Sequence, residues 1–150
     1  MRAVIQRVSH ARVEVDSTTV GEIGRGILVF LGIEGADDDG DVEWLAGKIA
    51  RMRIHADEDG LMNAALQDIG GEALVVSQFT LHASTKKGNR PSFIRAARPE
   101  QAEPLYKTFC EALTAEMGRE VRRGIFGADM KITLLNDGPV TIVMDSRQRE

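Results

Sequence analysis

The sequence predicts one α+β domain, with a mixed or largely antiparallel sheet curled toward a barrel and two main helices. The length of 150 residues is that of one compact domain. No Pro-, Gly- or Ser-rich linker divides the chain, so residues 1–150 are treated as a single domain. The predicted elements follow in the order strands, helix, strand, helix, strands, which is typical of the α+β class.

Strands are predicted at the beginning of the chain. Residues 4–8 and 11–16 are predicted as two strands, and in the second of them valine alternates with charged side chains. The glycines within residues 21–26 are predicted to form turns. Residues 27–31 are all apolar, and they therefore predict a buried strand.

Two segments have the apolar spacing of helices. The first helix is predicted from an apolar stripe behind a cluster of aspartates, which suits helix capping and the helix dipole; the stripe consists of Val42, Leu45, Ile49 and Met52. The second is predicted over residues 99–117, where Glu103 and Lys107 form a favourable pair. Pro104 allows the alternative that this helix begins near it. Gly118 is the predicted stop.

Four further strands are predicted after the first helix. Residues 73–76 form an apolar strand between the two helices, and residues 120–125, 130–135 and 140–144 follow the second. The stretch 136–141, Asn-Asp-Gly-Pro-Val-Thr, joins the last two strands. Asn, Asp and Gly tolerate a positive φ and Pro fixes the next residue, so this stretch is predicted to be a hairpin connection.

The composition excludes several classes of protein. The net charge of −4 argues against indiscriminate nucleic-acid binding, which relies on an excess of Lys and Arg. The longest apolar run, residues 27–33, is shorter than the roughly 20 residues of a membrane-spanning helix. The first residues lack the apolar region of a signal peptide. Cys110 is the only cysteine, which suits a reducing environment, and we expect a cytoplasmic protein.

Residues that usually bind metals or attack esters are scattered along the chain. His10, His55 and His82 have no metal-ligand spacing, so neither a metal nor another cofactor is expected. The acidic segment 57–60 lacks the ligand pattern of a calcium loop and predicts a tight turn. Cys110 lies in a helix-like stretch and is predicted to be a buried structural thiol.

The densest set of reactive groups is residues 77–82, Ser-Gln-Phe-Thr-Leu-His, at the end of a predicted strand. If that strand persists, Gln78, Thr80 and His82 share one face, which would offer oxyanion donors or a Thr–His pair. The alternative is a strand end whose side chains satisfy its own backbone. These residues alone leave both interpretations open.

A basic segment follows these residues. No acidic residue occurs from position 73 to position 99, whereas the same stretch holds Lys86, Lys87, Arg90, Arg95 and Arg98. From charge alone, the segment is either a solvated basic loop or a surface for phosphate groups. The sequence does not decide between these two by charge.

Two motifs taken together resemble those of a known family. Ser-Gln-Phe-Thr-Leu at residues 77–81 and Asn-Asp-Gly-Pro-Val-Thr at residues 136–141 are similar to the two signature segments of D-aminoacyl-tRNA deacylases. Ile-Gln-Arg-Val at 5–8, Gly-Asn-Arg-Pro-Ser-Phe at 88–93 and Ala-Asp-Met at 128–130 also look like family segments in the right order. The likeness covers nearly the whole chain.

The resemblance implies a homodimer that hydrolyses D-aminoacyl-tRNA at active sites on the subunit interface. Gly138 and Pro139 would be joined by a cis peptide bond and would enter the site of the partner subunit. Their carbonyl oxygens would face the α-carbon of the substrate, exclude an L side chain sterically and admit the D isomer. Glycine has no side chain to clash, so glycyl-tRNA is expected to be accepted at least in part.

The resemblance also assigns the catalytic residues. Ser77, Gln78, Phe79 and Thr80 are expected to contact the ester and the terminal adenosine of the tRNA through backbone or side-chain groups. The 2′-hydroxyl of that adenosine would assist the reaction in place of a protein nucleophile. Because an aminoacyl ester is already labile, positioning and a few donors to the oxyanion would suffice.

Other residues would support this site. Arg7 is expected to orient the turn at Gly138 and Pro139, and further support of the substrate pocket is expected from Met130, Asn136 and Thr141. The basic segment would contact phosphates of the acceptor stem, which positions the tRNA without reading its sequence; these contacts are assigned to Lys86, Lys87 and Arg90. Neither DNA nor a membrane is expected as a partner.

The chain departs from the family pattern at three places. Leu61 stands where a lysine is frequent, His82 where the residue is commonly apolar or aromatic, and Ile142 where bulkier aromatics are frequent. Three other functions remain open. They are a nucleic-acid-binding protein without catalysis, a hydrolase with Ser77 or Cys110 as nucleophile, and a related deacylase that removes L residues with a trans Gly–Pro bond.

Overall fold

The computed structural model describes residues 1–149 of the chain. Two layers make up the fold, a mixed sheet and a pair of helices on one face of it. In chain order the elements are β1 (Arg2–Val15), β2 (Thr18–Ile23), β3 (Gly26–Gly32), α1 (Asp39–Ala50), β4 (His55–Ala56), β5 (Met62–Ala64), β6 (Glu72–Ser77), a 3-10 helix (Phe79–His82), α2 (Pro99–Met117), β7 (Arg122–Arg123) and β8 (Lys131–Asp145).

The main sheet is mixed and nearly closed into a barrel. Its strands lie in the order β2-β1-β3-β6-β7, and β8 runs along the other edge of β1. The first half of β1 pairs with β3 and its second half pairs with β2, so β1 is shared by two parts of the sheet. β3, β6 and β7 are parallel, whereas all pairs of β1 are antiparallel. The predicted fold class is confirmed.

Two glycines allow strands to approach where a side chain would collide. A Cβ atom at Gly26 would lie 1.8 Å from the carbonyl oxygen of Glu72, and one at Gly21 would lie 2.8 Å from that of Arg123. Gly21 thereby brings β2 against β7, the two ends of the sheet order, which draws the barrel together. These two glycines lie within strands, where the sequence predicted turns over residues 21–26.

The first two predicted strands are one strand. β1 runs without interruption from Arg2 to Val15, so the separate strands predicted at residues 4–8 and 11–16 are wrong. The polar stretch between them remains in the sheet because β8 pairs along it, with register shifts on either side of Val8. A local change of polarity therefore does not end a strand that has neighbours on both edges.

The last two predicted strands are likewise one strand. The segment 140–144 and nearly all of 130–135 belong to β8, so the hairpin predicted at residues 136–141 is wrong. The chain keeps its direction through this stretch because β1 pairs with the strand on both flanks. The turn-forming residues bend the backbone here without reversing it.

Within β8 the ladder is interrupted at one place. Asn136 pairs with Val8 and Thr141 pairs with Gln6, which leaves residues 137–140 outside the ladder. We call these residues the 137–140 excursion. The excursion lies opposite Arg7, the single residue of β1 between Gln6 and Val8, and Arg7 is hydrogen-bonded to it.

The shorter elements differ most from the prediction. β2 and the small hairpin of β4 and β5 were not predicted as strands, and only Arg122–Arg123 of the predicted strand 120–125 forms β7. The turn between β4 and β5 is the tight turn predicted at residues 57–60. Asp57 stabilises it, since its carboxylate accepts from the backbone amides of Asp59 and Leu61 at 3.0 and 2.9 Å.

Both helices lie where the sequence predicts them. Asp38 caps α1, and its carboxylate accepts from two backbone amides of the first turn at 3.0 and 3.2 Å. α2 spans the predicted residues 99–117 and ends at Gly118, which has the left-handed φ of 65°. Pro104 lies inside α2, so the alternative start near it is wrong. Pro104 is exposed, and water can reach the carbonyl that loses its donor.

The helices and the sheet enclose the main core. Alternate residues of β3 and β6 face opposite sides of the sheet, so one side packs against the helices and the other forms a second apolar cluster inside the curl of the sheet. Tyr106 of α2 joins the layers by donating its hydroxyl to the carbonyl of Val75 at 2.8 Å. Over residues 1–149 neither helix has the length and apolar character needed to cross a membrane.

Candidate active site

The predicted catalytic segment begins where β6 ends. The backbone amide of Gln78 donates to the carbonyl of Leu31 at 2.7 Å, and the chain then turns into the 3-10 helix. The strand therefore does not persist through residues 78–82, and the arrangement that depended on it, with Gln78, Thr80 and His82 on one face, is not formed. Phe79 and Thr80 are exposed whereas His82 is buried, so a Thr80–His82 pair is not formed either.

This turn presents several hydrogen-bonding groups together. The side-chain amide of Gln78 donates to the hydroxyl of Thr80 at 2.5 Å. The backbone amides of Phe79 and Thr80 lie in the first turn of the 3-10 helix, where a helix offers no internal partner. The turn rests directly on β3, because a Cβ atom at Gly32 would lie 2.9 Å from the carbonyl oxygen of Gln78. Contact with β3 therefore fixes the position of these hydrogen-bonding groups relative to the sheet.

A cavity of about 600 Å³ opens beside the turn. Its walls come from the ends of β3 and β6, the residues that approach α2, and the residues that precede β8. Ser77, Gln78, Phe79 and Met130 are the predicted site residues that line it. Phe79 meets Phe93 across the wall, with ring centroids 5.0 Å apart and the rings inclined by 76°. A mainly apolar pocket with a few polar groups at one side suits a small organic ligand.

Gly138 and Pro139 lie apart from this cavity. The peptide bond between them is cis, and both residues are exposed in the 137–140 excursion. Neither residue lines the cavity of its own chain. The structure therefore brings the predicted site residues together in two groups, one at the cavity and one at the excursion.

Arg7 holds the excursion against the sheet. Its Nε donates to the carbonyl oxygen of Asp137 at 3.0 Å, and a terminal nitrogen donates to the carbonyl oxygen of Ile54 at 2.7 Å. A Cβ atom at Gly138 would lie 2.7 Å from the other terminal nitrogen of Arg7, and Gly138 has a φ of 127°. Glycine is therefore required at this position for both its conformation and its size.

Asn136 and Thr141 flank the excursion. The side-chain amide of Asn136 donates to the carbonyls of Arg7 and Val140 at 3.3 and 2.9 Å. The hydroxyl of Thr141 accepts from the side chain of Gln6 at 3.2 Å. Within one chain both side chains thus brace the base of the excursion, at a distance from the cavity that Met130 lines.

This chain is similar to known proteins over nearly its whole length. A family model described as D-Tyr-tRNA(Tyr) deacylase matches residues 4–145. The chain belongs to this family. Two relatives named D-aminoacyl-tRNA deacylase, from Flavobacterium johnsoniae and Akkermansia muciniphila, are 58% and 59% identical to it over 150 residues, and each alignment covers 100% of both chains. The family that the two sequence motifs predicted is confirmed.

Solved structures share the fold of this chain. A structure named c-Myc DNA Unwinding Element Binding Protein has a TM-score of 0.90 and 41% sequence identity, covering 97% of this chain and 98% of that one. A probable eukaryotic D-amino acid tRNA deacylase has a TM-score of 0.81 at 18% identity, covering 95% and 97% of the two chains. The second comparison shows that the fold is shared.

In this member of the deacylase family, the predicted tRNA-binding residues lie on a loop next to the cavity. Reciprocal backbone bonds of 2.8 and 2.9 Å between Ser84 and Ser92 close the base of the loop. Lys86, Lys87 and Arg90 are exposed on it. They themselves do not line the cavity, but the same segment continues to Phe93, which does.

Arg95 has a structural contact instead. Its guanidinium pairs with the carboxylate of Glu34 at 2.7 Å. Burial alone would raise the pKa of Glu34, but the hydrogen bond and charge of Arg95 lower it. The pair ties the loop to the segment after β3, so Arg95 is exposed like the other cations of the basic segment but has its charge compensated by Glu34.

A conventional nucleophile is not presented to the cavity by this family member. Cys110 is buried as predicted, and burial raises the pKa of its thiol to about 12, so it stays protonated at neutral pH. His55 and His82 are buried and lie outside the cavity wall, so over residues 1–149 no histidine of the wall can serve Ser77 as a base. Asp129 lines the cavity, but its carboxylate is exposed and pairs with Lys131 at 2.9 Å. Over residues 1–149 no group of three or more His, Cys, Asp or Glu side chains is placed to hold a metal ion.

Most residues of the cavity wall were not predicted as site residues, among them Phe93, Arg98 and Phe126. Phe126 also packs against Tyr106 of α2, with ring centroids 5.8 Å apart. The sequence held a signal for Phe93 and Phe126. Phe93 ends the segment 88–93 and Phe126 lies just before the segment 128–130, and both segments resemble family segments. Nothing in the spacing of Arg98, which directly precedes α2, indicates that it reaches the cavity.

Proposed function

We propose that this chain hydrolyses the ester bond between a D-amino acid and tRNA, releasing the free D-amino acid and the tRNA. The observation that carries the proposal is the match of residues 4–145 to the deacylase family, together with a cavity walled by Ser77, Gln78 and Phe79. Relatives named D-aminoacyl-tRNA deacylase align with the chain over its full length, which supports the same activity here.

Catalysis in this proposal depends on positioning and on hydrogen bonds to the oxyanion. The amides of Phe79 and Thr80 open the 3-10 helix without partners inside it, and the Gln78 amide lies beside them. Such donors stabilise the negative charge that develops on the carbonyl oxygen of the ester. The cavity takes the terminal adenosine, and its 2′-hydroxyl assists the attack of water. This scheme needs no base from the protein, in keeping with the absence of histidine and cysteine from the cavity wall in residues 1–149.

The proposed active unit is a homodimer. Gly138 and Pro139 are exposed and lie outside the cavity of their own chain, so a second copy can receive them in its cavity. Among the described strands β8 pairs only with β1, which leaves its other edge open. Leu135 and Val143 of β8 are 50% and 71% exposed, an apolar surface that a second subunit would cover.

Selection of the D isomer in this dimer is steric. The carbonyl oxygens of Gly138 and Pro139 would face the α-carbon of the substrate in the partner's cavity and leave no room for an L side chain. Arg7 supports this role because its bonds to Asp137 and Ile54 fix the excursion on the sheet. Glycyl-tRNA lacks the side chain that would clash and is therefore a partial substrate.

The tRNA would be held by a small number of phosphate contacts. Lys86, Lys87 and Arg90 are exposed beside the cavity, where they can meet the acceptor stem. With a net charge of −4 the chain would bind tRNA weakly and in a salt-dependent manner. We also propose that the protein acts in the cytoplasm, where aminoacylated tRNA is used.

The test is hydrolysis of matched D-tyrosyl-, L-tyrosyl- and glycyl-tRNA by catalytic amounts of the protein. The expected result is rapid loss of the D ester, partial loss of the glycyl ester and survival of the L ester. Turnover of the L ester instead would contradict the steric selection and favour an L-specific deacylase. The absence of turnover on all three esters would contradict the enzymatic proposal.

A second function is favoured by one observation, the similarity to a structure whose name describes binding to a DNA unwinding element. In that case the cavity would be unused and the exposed cations would bind nucleic acid without turnover. Stoichiometric retention of tRNA or DNA by a protein that hydrolyses none of the three esters would support this alternative. Multiple turnovers of the D ester would reject it as the main function.

A further inference from the structure

Arg2 joins three parts of the fold at the start of β1. In the sheet it pairs with Gly32 of β3 on one side and with Asp145 of β8 on the other. Its Nε donates to the carboxylate of Asp145 at 2.8 Å. A terminal nitrogen of the same guanidinium donates to the carbonyl oxygen of Leu81 at 3.1 Å. Leu81 belongs to the 3-10 helix, so Arg2 connects the sheet to the segment that walls the cavity.

Asp145 is itself fixed and therefore orients the guanidinium. Its second carboxylate oxygen accepts from the backbone amides of Arg147 and Gln148 at 2.9 and 3.3 Å. Burial alone would raise the pKa of Asp145, but the bonds from Arg2 and these amides lower it. The carboxylate thus stays charged at neutral pH, and the planar fork of Arg2 is held with its other donor toward Leu81.

The 3-10 helix has few other hydrogen bonds, although Leu81 and the buried ring of His82 pack on Gly32 of β3. Gln78 bonds its beginning to β3, and within the turn the amides of Leu81 and Ala83 donate to the carbonyls of Gln78 and Thr80 at 3.2 and 3.0 Å. A single turn of this kind is weak by itself, since its bonds have poor geometry. The carboxyl half of the turn is Leu81 and His82. Over residues 1–149, Arg2 is the only residue of another element whose side chain donates a hydrogen bond to this half.

We propose that Arg2 is a positioning residue for ester hydrolysis, an assignment that rests on the proposed function. By holding the carbonyl of Leu81 it fixes the end of the turn that presents Gln78, Phe79 and Thr80. Without this bond the turn loosens at its carboxyl end and the donors lose their alignment with the ester. The proposed phosphate contacts with the tRNA lie on the basic loop and do not involve Arg2, so the loss affects the chemical step more than substrate binding.

The first test compares Arg2→Ala with the wild-type protein on D-tyrosyl-tRNA. We expect kcat to fall about tenfold, less than the 100-fold that a full 1 Å misplacement can cause, while KM stays within about twofold. The matched control is Arg51→Ala, which also removes an arginine–carboxylate pair between two elements, the one with Glu116 at 2.6 Å, far from the cavity wall. This control should keep the wild-type kcat.

Chemical rescue separates positioning from a general loss of stability. A second cavity of about 340 Å³, lined in part by Arg2, Leu81 and Asp145, lies on this side of the turn. Removal of the Arg2 side chain enlarges it and leaves Asp145 free to bind a guanidinium ion. Guanidinium, well below unfolding concentrations, should restore kcat of Arg2→Ala. Urea, which has a similar shape without charge, and sodium chloride at equal ionic strength should not.

A readout without substrate keeps this inference separate from the proposed function. Hydrogen exchange of the amides of Leu81 and Ala83 should be faster in Arg2→Ala than in the wild type or in Arg51→Ala. If the wild type hydrolyses no ester, the proposed function fails, while faster exchange still supports the tie between Arg2 and the turn. Equal exchange and equal kcat in the two variants would overturn the inference.

Failure of Arg2→Ala to fold would move the test to two milder variants. Arg2→Lys keeps the charge but cannot reach the carboxylate of Asp145 and the carbonyl of Leu81 together. Asp145→Asn keeps the size of the partner and removes its charge. Both should lower kcat in the same direction, by less than the expected tenfold of Arg2→Ala, with KM unchanged. Wild-type kcat in both variants would overturn the inference.

Discussion

Arg7 and Arg2 both leave β1 to bind a segment with a proposed function, and they differ in what they bind. Arg7 donates to two backbone carbonyls, those of Asp137 and Ile54, at 3.0 and 2.7 Å. Arg2 donates to one carbonyl, that of Leu81, and otherwise to the carboxylate of Asp145. The first arginine fixes the 137–140 excursion, and the second fixes the 3-10 helix at the cavity.

The contacts of the two arginines depend on different numbers of side chains. A backbone carbonyl is present whatever the side chain, so the bonds of Arg7 depend on Arg7 alone. The bond of Arg2 to its carboxylate needs the right residue at position 145 as well. Arg7 is also the less exposed of the two, with 16% of its side chain accessible against 27% for Arg2. We therefore expect substitution of Arg7 to have the larger effect.

Each arginine also lies near a buried histidine. Burial lowers the pKa of His55 to about 4, and the charges of Arg25 and Arg7 act in the same direction. Burial likewise lowers the pKa of His82, which the charge of Arg2 reinforces and that of Glu34 opposes. Uncharged rings therefore stand beside both arginines at neutral pH, which spares the guanidinium groups a repulsive neighbour.

The largest effect is expected from Arg7→Ala. Loss of the bonds to Asp137 and Ile54 frees the excursion, so Gly138 and Pro139 no longer hold their carbonyls in place. We expect the ratio of kcat/KM for D-tyrosyl- over L-tyrosyl-tRNA to fall about 100-fold, the loss that a 1 Å displacement can cause. Arg2→Ala, in contrast, should leave this ratio unchanged.

The control for Arg7→Ala is Asp137→Ala. Arg7 binds the backbone of Asp137 more closely than its carboxylate, which lies 3.4 Å away and is 53% exposed. The shorter bond survives this substitution, so the D-to-L ratio should change little. A loss as large as that of Arg7→Ala would show that the carboxylate fixes the excursion, and the distinction between backbone and side-chain partners would fail.

The next effect concerns the pH dependence of stability at His55. Its pKa in the folded chain, about 4, lies below the ordinary 6.5, so the unfolded chain takes up a proton first as the pH falls. The stability contributed by the neutral ring is complete above about pH 6.5 and is lost toward pH 4. Linkage predicts a loss of about 2 kcal/mol at about pH 5. His55→Phe should remove the loss of unfolding free energy that is due to His55, measured by urea unfolding above pH 6.5 and at about pH 5.

Protonation of His82 should also reduce stability as the pH falls below 6.5, because its pKa in the folded chain is lowered too. Some loss of stability should therefore persist in His55→Phe. His10→Phe is the matched control, since His10 is exposed and its side chain contacts only the neighbouring Ser9. The control should follow the wild-type pH dependence. An unchanged dependence in His55→Phe would contradict the assignment of an uncharged ring beside Arg7.

The smallest effect is expected from combining the two arginine variants. Arg2 and Arg7 share no hydrogen-bond partner, so their effects should be independent. The tenfold loss of kcat expected for Arg2→Ala should recur, within about twofold, in the Arg7→Ala background. A smaller loss in the double variant would mean that the excursion and the 3-10 helix are coupled through β1.

The sequence predicted the helices better than the strands, for a physical reason. α2 could be placed over residues 99–117 because its apolar spacing, its proline start and its stop at Gly118 are all local signals. The continuity of β1 and β8 depends on which distant segment pairs across the polar stretch or the excursion. β2 was missed because Gly21 looks like a turn residue, whereas its role is to meet β7 closely.

The candidate site divides in a similar way. Ser77, Gln78, Phe79 and Met130 were assigned by resemblance to family motifs, and the structure places all four on the cavity. Thr80 was assigned with them but does not line the cavity. Arg2 carries no motif, and its significance lies in a bond to a residue far along the chain. Side chains that act through tertiary contacts leave no periodic or compositional trace, and a single sequence cannot reveal them.

The interruption of β8 has a consequence for how this protein can change over evolutionary time. The two register shifts beside Val8 together keep the alternation on both flanks of residues 137–140, since Leu135 pairs with His10 and Thr141 pairs with Gln6. Substitutions within the excursion therefore leave the inward and outward faces of both flanks unchanged. If the excursion selects the substrate as proposed, selectivity can change there at residues other than Gly138, while the barrel that carries it is inherited intact.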